Sequence, residues 1–232
     1  MITEEENRLL CHVEGNAPMG QLMRRHWIPA LMSEEVEIDG KPVRVRLLGE
    51  DLVAFRDSNV DVGLIDEFCP HRGPSLYFGR NENCGLRCLY HGWKFDKNGN
   101  ITEMPSEPPE SQMKERIKIK AYPTTEAGGF VWAWMGPVDE MLEFQSPPFA
   151  PNAETNVSIT KIKIPCNWSQ IQEGQIDSAH SSTLHSSDMV PARVESAGAN
   201  NTHWTRPSTD KSPRIFTQRT PCLLYTSDAA DE

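Results

Sequence analysis

The chain has 232 residues, of which 38% are hydrophobic, 33 are acidic and 23 are Lys or Arg, so its formal net charge is −10. This length corresponds to one or two domains, and the apolar content excludes a wholly disordered chain. The negative charge argues against a broad nucleic-acid or anionic-lipid surface, and no apolar run approaches the ~20 residues of a membrane span. Because the first residues lack a basic secretory signal, we expect a cytoplasmic protein whose clustered Cys and His bind metal rather than form disulfides.

The N-terminal region has the patterns of short strands separated by turns. Residues 19–29 predict a short helix that ends at Pro29. Residues 97–100, Lys-Asn-Gly-Asn, predict a hairpin turn. Four segments have the alternating or apolar pattern of strands: 43–48, 52–55, 62–65 and 129–135. Together these elements predict an all-β first domain.

The pattern changes after a proline-rich segment. We expect residues 141–151 to be a linker, since proline favours extended, exposed connections. Residues 159–164 then alternate as a strand does. Residues 168–182 predict a helix, and Asn167 is a suitable N-cap for it.

Two short segments of the first domain each offer one thiolate and one imidazole. Cys69 is followed by His71 and Cys88 by His91, with sixteen residues between the two segments. Zn²⁺ binds two Cys and two His tetrahedrally, whereas a Rieske [2Fe–2S] cluster takes two Cys on one iron and two His on the other. A zinc finger usually pairs Cys with Cys and places both His on a helix. One Cys and one His in each segment, beside Gly and Pro residues that favour turns, therefore favour the Rieske cluster over zinc.

A second group of candidate ligands lies on the helix predicted at 168–182. Asp177 and His180 fall on its polar face at ~100° per residue. We expect the helix to bend or end near 181–182, so that His185 turns back towards His180. Two His and a carboxylate are the ligands of non-haem Fe(II) oxygenases. Asp177 is either that carboxylate or a group that orients His180 through its other ring nitrogen.

Taken together, the two motifs resemble the oxygenase (α) component of Rieske non-haem iron ring-hydroxylating oxygenases. The resemblance covers roughly residues 2–215 and is strongest to the phthalate 4,5-dioxygenase-like branch. The family motifs are at 69–73, 90–94 and 173–185, and the branch motifs are at 19–25, 104–109 and 206–211. The implied fold class is α+β: an all-β Rieske [2Fe–2S] domain followed by the start of an α+β, helix-grip type, mononuclear iron catalytic domain.

The resemblance also implies roles for individual residues. Cys69, His71, Cys88 and His91 hold the [2Fe–2S] cluster, and His180 and His185 bind the mononuclear Fe(II). The family's third iron ligand is an Asp later in the catalytic domain, beyond the last residue of this sequence. Asp177 then corresponds to the catalytic Asp that links one subunit's iron ligand to a Rieske ligand of its neighbour. This arrangement implies a homotrimer or a multiple of it.

The implied function is hydroxylation of an aromatic, carboxylated substrate with O₂, by dioxygenation or O-demethylation, in aromatic hydrocarbon catabolism. An NAD(P)H-dependent reductase with a flavin and a plant-type [2Fe–2S] centre would supply electrons. Arg206 is a candidate contact for a substrate carboxylate, because Arg binds carboxylates bidentately. Ser178, beside Asp177, is a candidate hydroxyl contact. One alternative is a Rieske electron-transfer protein with no catalysis of its own, which would not need the 173–185 motif. The other alternative is a zinc-binding interaction module.

We expect four regions along the chain. Residues 1–140 form the Rieske domain with its N-terminal helix and the cluster segments at 69–93, and residues 141–151 form the linker. Residues 152–220 are the truncated N-terminal part of the catalytic iron domain. Residues 221–232 resemble translated sequencing adapter joined to a cut gene fragment.

Overall fold

The structure is a computed structural model of the chain. It describes residues 2–108, 110–147, 158–177, 180, 184, 215–219 and 224–228. The chain divides into two compact units, Met1–Ile162 and Lys163–Glu232. None of the helices in these described ranges is both long and apolar enough to cross a bilayer.

Within its described residues, the first unit contains three antiparallel sheets. Their orders are β1-β11-β10, β2-β3-β4-β9 and β5-β6-β7-β8. The strands are β1 Trp27–Met32, β2 Val43–Leu47, β3 Glu50–Arg56, β4 Val62–Asp66, β5 Arg80–Asn81, β6 Leu86–Arg87, β7 Lys94–Phe95, β8 Ile101–Glu103, β9 Ala121–Tyr122, β10 Thr124–Ala127 and β11 Phe130–Trp134. The four strands and the hairpin turn expected from the sequence are confirmed as β2, β3, β4, β11 and the β7–β8 turn.

The prediction of one helix over 19–29 is wrong in its second half. Helix α2 covers only Pro18–Met23, and β1 begins at Trp27. The β1 strand pairs with β11, and its register shifts between Pro29 and Leu31. Proline lacks an N–H, so it is tolerated in a strand at an edge or a bulge, and β1 offers both. Helix α1, Glu4–Cys11, precedes α2 and is capped by Thr3.

The core of the first unit forms on both faces of β3. Successive side chains of a strand point to opposite faces. Leu52 and Ala54 belong to one buried cluster, against β1 and β11, while Val53 and Phe55 belong to the other. The second cluster also contains Cys69 and Cys88, so it packs directly beneath the predicted metal ligands. The short helix α3, Met113–Arg116, has no buried residue.

The described part of the second unit contains helix α4 (Trp168–Ile176), a further helical residue at Leu184 and one hairpin. Helix α4 is capped by Asn167, whose side chain accepts a hydrogen bond from the Ser169 N–H at 2.9 Å, as expected. The hairpin joins β12, Ile215–Arg219, to β13, Leu224–Asp228. The predicted helix end near 182 is wrong, because α4 ends at Ile176. Gly174 weakens the helix, and the Asp and Ser residues from 177 onward favour turns.

The strand predicted at 159–164 is also wrong. These residues are not in a strand, and no described strand pairs with them. Ile162 and Ile164 are exposed, so the apolar alternation is not buried against a sheet. A strand is stabilised by hydrogen bonds to a neighbouring strand, and a pattern alone does not supply that neighbour.

Candidate metal centre

Two loops of closely similar geometry carry the predicted cluster ligands. In the first ligand loop, 69–74, the Cys69 N–H donates to the Pro74 carbonyl at 3.0 Å, and the Gly73 N–H donates to the Cys69 carbonyl at 2.9 Å. In the second ligand loop, 88–93, the Cys88 N–H donates to the Trp93 carbonyl at 2.8 Å. The Gly92 N–H then donates to the Cys88 carbonyl at 3.1 Å. Each loop is thus closed by the same pair of backbone bonds, counted from its cysteine.

The closing residue of each loop is a glycine with positive φ. Gly73 has φ +78° and Gly92 has φ +76°. L residues with a side chain rarely adopt this conformation, so both sequence segments need Gly at that position. At Gly92 a Cβ atom would also lie 2.7 Å from the Pro105 side chain. The glycines noted in the sequence motif are therefore requirements of the loop geometry.

The structure pairs the four predicted cluster ligands by chemical type, Cys with Cys and His with His. The thiols of Cys69 and Cys88 are both buried and close enough for Cys88 to influence the pKa of Cys69. The imidazole rings of His71 and His91 lie 4.6 Å apart between centroids. Among the described residues, no three His, Cys, Asp or Glu side chains are arranged to hold one ion. Two sulfurs on one side and two imidazoles on the other is the donor set of a two-iron cluster with mixed ligands.

Burial controls the protonation of the Cys69 thiol. Desolvation, together with the adjacent Cys88 thiol, raises the pKa of Cys69 to about 11. Without a cation the Cys69 thiol therefore holds its proton at neutral pH. Because metal ions bind thiolates, loading this site releases protons from the cysteines.

One imidazole is held by aromatic stacking. The His71 ring stacks on the Trp93 indole, with 4.5 Å between centroids and 4° between planes. Trp93 is buried, and its Nε1–H donates to the Ser106 hydroxyl at 3.0 Å. The indole is therefore fixed at both its face and its edge, and it fixes the plane of His71. Trp93 lies in the 90–94 sequence motif, but its role as a stacking partner is visible only in three dimensions.

The imidazole side of the centre lies at the surface. His71 and His91 are partly exposed, whereas both thiols are buried. Leu89 and Tyr90, in the second ligand loop, are 56% and 62% exposed. Phe68, beside Cys69, is 48% exposed. A group held by these four side chains would therefore be closest to solvent at the histidines, within an apolar rim.

The second predicted site is described only in part. Asp177 is the C-cap of α4 and His180 lies in a turn, so the prediction that they share a helix face is wrong. They are nevertheless close, since Asp177 Oδ2 lies 3.5 Å from His180 Nδ1. The Asp177 carboxylate also accepts a bond from the His180 N–H at 3.4 Å. The predicted residues His185, Ser178 and Arg206 lie outside the described residues.

Comparison with known proteins gives two family matches. Residues 26–123 match the Rieske [2Fe-2S] domain, and residues 133–226 match the family described as LigXa C-terminal domain like. The first match contains both ligand loops. The second contains Asp177, His180 and His185.

The chain is also similar to oxygenase subunits of bacteria. It is 63% identical over 221 residues to the phthalate 4,5-dioxygenase oxygenase subunit of Pseudomonas putida, covering 95% of this chain and 50% of that protein. It is 44% identical over 185 residues to the 3-chlorobenzoate-3,4-dioxygenase oxygenase subunit of Comamonas testosteroni, covering 80% and 43%. Among solved structures, apo dicamba monooxygenase matches with a TM-score of 0.49 and 27% identity, over 54% of this chain and 38% of that one.

The chain therefore spans about half the length of the curated relatives that it matches. Its fold is the one the sequence predicted, a Rieske domain of antiparallel sheets followed by the start of a catalytic domain. The Rieske match and the 63% identity over nearly the whole chain agree on one assignment. The chain belongs to the oxygenase (α) subunits of the Rieske ring-hydroxylating oxygenases, in their phthalate dioxygenase-like branch.

Proposed function

We propose that this chain is part of an oxygenase that uses O₂ and reductase-supplied electrons to hydroxylate a carboxylated aromatic compound. In this proposal Cys69, His71, Cys88 and His91 hold the Rieske [2Fe–2S] cluster. The observation that carries the proposal is the pairing of two buried thiols with two partly exposed imidazoles on twin loops. When bound, the cluster supplies one-electron transfer at a potential raised by its neutral imidazole ligands.

The chain's own residues define how such a centre works. The buried thiols keep the sulfur side away from water, in the same apolar cluster as Phe95 and Leu76. The imidazoles face the surface, so electron transfer to or from a bound cluster would be expected on that side. Trp93 prevents rotation of the His71 ring through the stack described above. A ligand that does not rotate keeps the reorganisation cost of each electron transfer low.

We further propose that His180 and His185 bind a mononuclear Fe(II), the site at which O₂ and substrate react. The 3.5 Å separation from Asp177 supports a role for that carboxylate in directing Nδ1 of His180 and leaving Nε2 for the metal. The third ligand would be an Asp later in the catalytic domain, as the family resemblance implies. Asp177 would also be the link from His180 to His91 of the neighbouring subunit, in a homotrimer or a multiple of it.

The relatives' names support the proposed substrate class. Two of them are named for phthalate and 3-chlorobenzoate, which are aromatic carboxylates, and a third is a 5,5'-dehydrodivanillate O-demethylase oxygenase subunit. We therefore propose an aromatic carboxylate as substrate, with Arg206 and Ser178 as its contacts. An NAD(P)H-dependent reductase with a flavin and a plant-type [2Fe–2S] centre would be the electron donor. The second candidate function, a Rieske electron carrier without catalysis, does not explain the Asp177–His180 pair.

The His180→Ala variant separates the oxygenase from the carrier. The variant is made in the full-length oxygenase that the gene encodes and is assayed with reductase, NADH and phthalate. We expect it to keep the Rieske spectrum. Its mononuclear iron, about one ion per subunit, should be lost, and product should fall below detection. Iron content, reduced EPR and product are measured on the same samples. The His26→Ala variant, which removes an exposed imidazole elsewhere, should behave as wild type.

Wild-type turnover by His180→Ala would contradict the mononuclear iron site. A wild-type protein that carries a cluster but consumes O₂ with none of the tested aromatic carboxylates would favour the electron carrier.

We also propose the division of the chain into a Rieske domain at 1–140, a linker at 141–151, a catalytic segment at 152–220 and a foreign tail at 221–232. Sequencing the gene past the codon for Gln218 tests the tail. A reading frame that diverges from this sequence after 220 and later encodes a helix with an Asp supports the division. A frame that continues through 221–232 and then stops contradicts it.

A further inference from the structure

Arg87, the last residue of β6, immediately precedes the ligand Cys88, and its side chain is only 13% exposed. Its three guanidinium nitrogens each bond to a different segment. Nε donates to Glu82 at 2.6 Å, Nη1 to the Gly92 carbonyl at 2.8 Å and Nη2 to Glu103 at 2.6 Å. These acceptors belong to the β5–β6 turn, the second ligand loop and β8.

We propose that Arg87 is a positioning residue that braces the second ligand loop, and with it His91, against the β5-β6-β7-β8 sheet. The inference rests on the proposed cluster function of that loop. Gly92, which follows His91, already donates its N–H to Cys88, and Arg87 fixes its other polar group, the carbonyl. The brace therefore acts at the one backbone position between His91 and the indole on which His71 stacks.

The geometry of arginine is what this brace needs. Its planar guanidinium presents donors in fixed, divergent directions, and it stays charged at all relevant pH values. Hydrogen bonds to charged partners are roughly twice as strong as neutral ones. Lysine has one nitrogen on a flexible chain, so it restores the charge but does not reach three separated acceptors at once.

The brace also sets the local charge beneath the loop. Three cations, Arg80, Arg87 and Lys94, face two carboxylates, Glu82 and Glu103. The hydrogen bonds from Lys94 and Arg87 lower the pKa of Glu103 to about 2, so this carboxylate is ionised at neutral pH. Removing Arg87 makes the local charge beside the cluster more negative by one unit. Because reduction adds an electron, that charge disfavours the reduced state and lowers the midpoint potential.

The test compares the cluster in wild type, Arg87→Met and Arg87→Lys. Arg87→Met should lower the midpoint potential, broaden the reduced EPR spectrum and speed cluster loss to a chelator several-fold. Arg87→Lys should have a midpoint potential close to that of wild type, because it keeps the positive charge. It should still show the broadened EPR spectrum and the faster cluster loss, because it loses the brace. Arg80→Met is the matched control. It removes a cation from the same hairpin at a side chain that is 67% exposed, and Arg80 pairs only with Glu82, at 3.4 Å, among the described contacts.

A residue that only stabilised the sheet would lower the unfolding temperature and leave potential and EPR line shape unchanged, and that result overturns the proposal. If Arg87→Met holds no cluster, the Arg87→Lys and Glu82→Gln variants test the proposal instead. Glu82→Gln should raise the potential, since it removes a negative charge, and an unchanged potential and spectrum in both variants would overturn the brace. A wild-type chain without a cluster would instead refute the proposed function of the loops.

Discussion

Cys88→Ser is expected to abolish the iron–sulfur cluster, reducing bound iron and sulfide in the chain from about two of each to background. The thiol of Cys88 is buried beside that of Cys69, and a serine hydroxyl does not replace a soft thiolate as an iron ligand. Iron and sulfide assays, with the visible spectrum of the purified chain, measure the effect. No other single substitution in the first unit should have a larger effect on cofactor content.

Cys84→Ser is the matched control for this experiment. Cys84 lies four residues earlier, in the β5–β6 turn at φ +57°, and it is not in the apolar cluster that contains Cys69 and Cys88. We expect this variant to retain full iron, sulfide and colour. Equal cluster content in Cys88→Ser and wild type, or loss of the cluster in Cys84→Ser, would show that the ligand assignment is wrong.

Phe95→Ala is expected to destabilise the first unit by about 3–5 kcal/mol, the range for truncating a large aromatic residue in a core. Phe95 is 0% exposed, lies in β7 and packs in the cluster that includes Cys69, Cys88 and Trp93. The cavity would lie directly beneath the ligand loops, so the variant should also lose its cluster faster. Denaturant unfolding followed by tryptophan fluorescence measures the free energy.

Phe78→Ala removes the same side chain from a position that is 61% exposed. Substitutions at such surface positions usually change stability by less than about 0.5 kcal/mol. Equal destabilisation by the two substitutions would mean that the core beneath the loops is not where the structure places it.

The ligand loops could be predicted from sequence because their determinants are local. Each consists of a Cys, a His two or three residues later and a Gly four residues after the Cys, which the closing hydrogen bonds require. The strands at 43–48 and 62–65 could be predicted equally well, since their apolar residues are buried within the sheets of the same domain. These features depend on neighbours close in sequence or on burial that the pattern itself encodes.

Other features depend on distant partners and were missed for that reason. Pro29 indicates a helix end locally, but pairing with β11, about a hundred residues later, places it in an edge strand. The alternation at 159–164 resembles a strand, yet no described strand pairs with it. The role of Arg87 depends on Glu103, which is sixteen residues away, and on a backbone carbonyl that no sequence motif identifies.

The central claim is that two Cys and two His on twin loops bind one two-iron cluster. The most direct test is a redox titration of the purified chain, combined with EPR and nitrogen ENDOR on protein labelled with ¹⁵N-histidine. We predict two coordinating histidine nitrogens and a midpoint potential above about −150 mV, the lower limit for Rieske centres. A colourless protein with one zinc ion, or a cluster near about −400 mV without histidine nitrogen coupling, would contradict the claim.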